Sequence, residues 1–64
     1  MNEQKMQPFQ GKFVNLQLRF TDGRTRALVG VRVLSVGSGG FVVEDAWPTS
    51  VKHSEVVSCV ESTH

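Results

Sequence analysis

The sequence predicts an all-β domain, a small antiparallel barrel of five strands behind a short flexible N-terminal tail. Three observations predict it. From Val14 to Phe20 apolar and polar residues alternate, with Val14, Leu16, Leu18 and Phe20 on one side and Asn15, Gln17, Arg19 and Thr21 on the other. Asp22-Gly23 follows directly, and Asp-Gly between alternating segments is the strongest short-range hairpin signal. No segment carries a helical repeat of useful length. At 64 residues the chain allows one domain, near the lower limit for folding on a single hydrophobic core.

Each element follows from its own residues. Residues 1–10 are polar with Pro8 and predict a loose tail, or at most one helical turn, ahead of a domain over 11–62. The first strand spans 12–21 and the second 24–35. A two-residue turn at Asp22-Gly23 pairs Thr21 with Arg24, Leu18 with Ala27, Leu16 with Val29 and Val14 with Val31, placing every apolar partner on one face. Gly30 marks a bend halfway along the second strand. "VRVLSVGSGGFVVEDAW" reads as a second hairpin around Gly37–Gly40, with Val33 opposite Val43, Arg32 opposite Glu44, and a third strand over 41–46. Trp47-Pro48 breaks that strand, because proline lacks a donor and restricts the residue before it. Short strands over 50–53 and 56–61 complete the set. The expected core is Val14, Leu16, Leu18, Val29, Val31, Val33, Val43 and Val56, while Leu28, Leu34 and Val42 fall on the outer side.

Charge is uneven along the chain. Residues 12–32 hold Lys12 and all four arginines against Asp22 alone, whereas residues 33–64 hold Lys52 against Glu44, Asp45, Glu55 and Glu61. In the expected register Arg19, Arg24, Arg26 and Arg32 share the outer face with Asn15 and Gln17, and Arg19 opposes Arg26. A like-charge cross-strand pair costs stability unless an anion bridges it. Arginine also forks phosphate and stacks on bases better than lysine does. Solvation of an ordinary exposed sheet face accounts for the same residues. The split in charge, a small core and exposed Leu28, Leu34 and Val42 together predict a homo-oligomer.

Other function classes find few residues. The chain has no tyrosine, and "GSGG" lacks the Lys-Ser/Thr partner of a phosphate-binding loop. Glu44 and Asp45 are adjacent, so their side chains leave a strand on opposite faces. His53 and His64 have no recognisable co-ligands, and Cys59, the single cysteine, reads as a buried inert thiol. The expectation is a protein that is not an enzyme, with no cofactor and no metal. "MNEQKMQPFQ" has no apolar centre for a signal peptide and no run is long enough to span a bilayer, so a cytoplasmic setting without membrane contact is expected. Trp47, beside a loop, suits either a lid on the core or a binding surface.

A bent second strand, a glycine-rich second hairpin and two very short closing strands describe an SH3-like or Sm-like barrel. "VNLQLRFTDGRTRALVGV", "FVVED" and "VKHSEVVSCVES" resemble the Sm-like proteins, Hfq and the Rho-binding antiterminators among them, over roughly residues 12–62. Lys52-His53 resembles the Lys-His pair at the uridine-binding rim of Hfq, displaced by one position when "EVVSCV" is aligned with the Hfq ending. Unmatched, His53 reads as an exposed or half-buried histidine. "GFVVEDAWPTSVKHSEVV" also resembles, more weakly, the C-terminal half of the plasmid type II dihydrofolate reductases. Of their Val-Gln-Ile-Tyr signature only Val51 is present, and Lys52, His53 and Ser54 replace the residues that carry the activity.

The function expected from the sequence is a small binding module, an RNA-binding regulator using the arginine face. Phosphates would meet Arg19, Arg24, Arg26 and Arg32, with Asn15, Gln17, Lys52 and His53 nearby, and Phe13, Phe41 or Trp47 stacking on bases. The alternative is a protein-binding regulator of the antiterminator or inhibitor kind, docking an acidic partner or adding a strand at a sheet edge.

Overall fold

A computed structural model describes residues 1–63; His64, considered above as a metal ligand, lies outside the described residues. A helical turn, α1 (Glu3–Met6), runs into a 3-10 turn (Gln7–Phe9) and then five strands: β1 (Phe13–Arg19), β2 (Thr25–Val36), β3 (Gly40–Glu44), β4 (Pro48–Lys52) and β5 (Val56–Glu61), with a 3-10 turn (His53–Glu55) before the last. All pairings are antiparallel and the sheet order is β4-β3-β2-β1-β5. The five-stranded all-β architecture is as the alternation predicts. The sheet is not closed: β4 and β5 remain its two edges.

The first hairpin departs from the expected register near its turn. Phe20, not Thr21, closes the loop by donating its N–H to the Arg24 carbonyl at 2.8 Å, and Gly23 donates to the Phe20 carbonyl at 2.9 Å. The loop is therefore the three residues Thr21-Asp22-Gly23, with Gly23 at φ +88°, a type I turn followed by a left-handed glycine. Arg19 consequently faces Thr25, Leu18 faces Arg26 and Leu16 faces Leu28. The slip is undone halfway along. Between Val14 and Leu16 the register shifts by one, and Val14 regains Val31 while Phe13 regains Arg32. Gly30, at φ +66°, makes this bulge, and the Asn15 Oδ1 accepts its N–H at 2.8 Å.

The core follows from that geometry. Val14, Leu16, Leu18, Val31, Val33 and Val43 are buried as expected, joined by Leu28, Phe41, Val51 and Met6. Leu28 and Val29 exchange roles: Leu28 is buried and Val29 is 76% exposed, because the three-residue loop moves every residue before Gly30 by one place. Val56 is half-buried rather than buried, packing on the core from an edge strand. The N-terminal segment is not a detached tail. Met6 is wholly buried and Phe9 packs on the same cluster, while Asn2 caps the helical turn by accepting the Lys5 N–H.

A candidate interaction face on the outer sheet surface

Residues directly opposed in an antiparallel pair share a face, so the registers map the outer surface row by row. Phe13 stands beside Arg32, and Arg32 beside Glu44. In the next row Val60 neighbours Asn15, and Asn15 neighbours the Val29-Gly30 bulge. Ser58, Gln17 and Ala27 follow, then Arg19 with Thr25. Val57, at the irregularity in the β1–β5 ladder, joins Gln17, Leu18, Arg19, Thr25, Arg26 and Ala27 around a shallow groove of about 310 Å³. Four large apolar side chains are left open on these three strands: Val29 at 76%, Val57 at 60%, Val60 at 57% and Phe13 at 46%.

The four arginines do not form one face. Only Arg19 and Arg32 lie on it. Arg26 stands opposite Leu18, on the core side of β2, and its guanidinium meets the Asp45 carboxylate at 3.2 Å. Arg24 sits at the turn, 2.6 Å from the Asp22 carboxylate. The expected Arg19–Arg26 repulsion is thus removed by the register. Among the described residues, Arg19 and Arg32 form no ion pair.

The remaining sequence-selected residues separate. Gln17 is exposed on the outer face, whereas the Asn15 side chain is engaged by the bulge. Lys52 is exposed at the end of β4. His53, read as exposed or half-buried, is in fact buried at 6% exposure. Its Nε2–H donates to the Gly37 carbonyl at 2.8 Å and its ring lies 5.7 Å from that of Phe41, pinning the glycine-rich loop. Nδ1 is buried and has no hydrogen-bond partner among the described residues. Lys52 and His53 therefore do not act as an exposed pair. Of the three aromatics offered for stacking, Phe41 is buried, while Phe13 and the 71%-exposed Trp47 are accessible. Cys59 is half-buried, and burial pushes its thiol pKa up.

Val57 and Val60 were absent from the sequence-based site. Their signal is the run Val56-Val57-Ser58-Cys59-Val60, which exceeds what a one-faced strand needs to bury. Among the described residues no group of three His, Cys, Asp or Glu side chains is placed to hold a metal ion, and no helix is long and apolar enough to cross a membrane. No family model, curated protein or solved structure matches the chain.

Proposed function

We propose that this chain is a small non-catalytic binding module whose outer β2–β1–β5 face docks a protein partner bearing an apolar patch and a carboxylate. The observation that carries this reading is the set of exposed apolar side chains, Phe13, Val29, Val57 and Val60, on the sheet face that also carries Arg19, with Val57 and Arg19 lining one groove. Exposed apolar patches with polar borders mark interaction surfaces, and interface centres are more apolar than the surrounding surface, with aromatic and arginine side chains enriched and lysine and acidic ones depleted. Arg19 supplies the charge that a carboxylate of the partner would answer.

A nucleic-acid face would need its cations free. Carboxylates of the chain itself engage Arg24 and Arg26, which shortens the basic stripe to two residues. Phe13 next to Arg32 keeps RNA as the competing outcome of the test.

The experiment uses immobilised chain to capture partners from cell extract, beside binding of a labelled single-stranded RNA over a salt series. A discrete protein retained by the wild type and lost with both Val29→Asp and Arg19→Glu is expected, with no RNA binding. The reading fails if RNA binds with a salt slope of roughly 0.7 per neutralised phosphate that flattens in Arg19→Gln/Arg32→Gln and ignores Val29→Asp.

A further inference from the structure

The two edges of the sheet are built differently. β4 begins with Pro48, which has no N–H to offer, and ends with Lys52, both devices that discourage further strand pairing. β5 has neither. From Val56 to Val60 it carries no charge or proline, and its one charged residue, Glu61, is 3.5 Å from Lys12 of the same chain. Beyond its ladder with β1, the other side of β5 has no strand neighbour among the described residues. Backbone groups along such an edge are a template for another strand.

We propose that β5 pairs antiparallel with β5 of a second copy, giving a two-fold dimer with one continuous ten-stranded sheet. The occupant is a second copy because the strand is complementary to itself. Cys59 opposes Leu16 and so belongs to the core side, whereas Ser58 and Val60 oppose Gln17 and Asn15 on the outer side. Opposed residues must share a face, a condition that the register with Cys59 against the second Cys59 and Ser58 against the second Val60 meets over these three residues. In that register Glu61 does not oppose the second Glu61, so no like charges meet. The outer faces of the two copies become continuous, with Val60 of each covered by its neighbour. A chain whose core is small and has no disulfide gains most from such an addition.

This inference shares Val57 and Val60 with the proposed docking face but not Val29 or Arg19, which keeps the two distinguishable, and sedimentation of the full chain at tens of micromolar tests it. A species of twice 7.1 kDa is expected. Val57→Lys/Val60→Lys should raise the dissociation constant at least about tenfold with an unchanged circular dichroism spectrum. Val29→Lys, on the outer face away from the edge, should leave the dimer intact. Hydrogen exchange supplies a second readout: amides within Val57–Glu61 should gain protection as concentration rises, even should the double variant fail to fold. A monomer at every concentration overturns the proposal. So does a dimer that survives both lysines, or one abolished by Val29→Lys without concentration-dependent protection in β5.

Discussion

At the scale of single residues, Cys59 shows how position on a strand sets chemistry. It lies opposite Leu16 on the inner side of an edge strand, half-buried beside the core. Burial disfavours the thiolate, so the folded-state pKa lies above that of the unfolded chain. The folded protein then holds the proton more tightly, and the stability this contributes is fully present below the ordinary thiol range. It is lost as pH rises through the folded value. Urea unfolding of the wild type and Cys59→Ala over an alkaline series should show the wild type losing stability relative to the variant. Parallel curves would mean that the thiol ionises equally well in both states. His53 is a second case in which position overrules expectation. A histidine next to a lysine at a strand end reads as surface, yet its ring is held under the Gly37–Gly40 loop by one hydrogen bond and the Phe41 ring.

At the scale of elements, strand identity was legible and register was only partly so. Alternation located β1 and β2, and the Val33–Val43 and Arg32–Glu44 pairings of the second hairpin are present as read. Two compensating one-residue shifts defeated the first hairpin. A two-residue and a three-residue turn both use Asp22-Gly23, differing only in whether Thr21 belongs to the strand or to the loop. The slip is tolerable only because Gly30 adopts a positive φ and Asn15 satisfies its N–H, reversing the shift before Val31. Gly30 was legible as a bend, but a bend alone does not reveal that the residues before it change faces. The arginine face was lost with the register. The consequence is measurable: Leu28→Ala should cost about 2–4 kcal/mol as a buried large-to-small change, and Val29→Ala should stay within about 0.5 kcal/mol as a surface change. A larger loss for Val29→Ala than for Leu28→Ala in denaturant unfolding would favour the uninterrupted register.

At the scale of the whole molecule, distant segments complete the core. Arg26 reaches Asp45 although the β2–β3 ladder pairs Glu44, the preceding residue, with Arg32, so the sheet coils until the start of β2 meets the β3–β4 turn. The N-terminal segment fills the core in a similar long-range way. A short polar stretch whose only core residues are Met6 and Phe9 has no period to read, so its burial was not legible; Met6 is buried in one cluster with side chains of β1, β2, β3 and β4. A chain of this size has a total stability of about 3–10 kcal/mol, at about 0.05–0.15 per residue. Met6→Ala removes a fully buried side chain and should cost about 2–4 kcal/mol, a large share of that total. At about 4–8 °C per kcal/mol for a small domain, thermal unfolding should drop by at least about 10 °C, whereas exposed Lys5→Ala should leave it unchanged. If Met6→Ala melts with the wild type, the first ten residues are the loose tail that their composition suggests. A full drop would instead make the helical turn an integral wall of the core, as the burial of Met6 indicates.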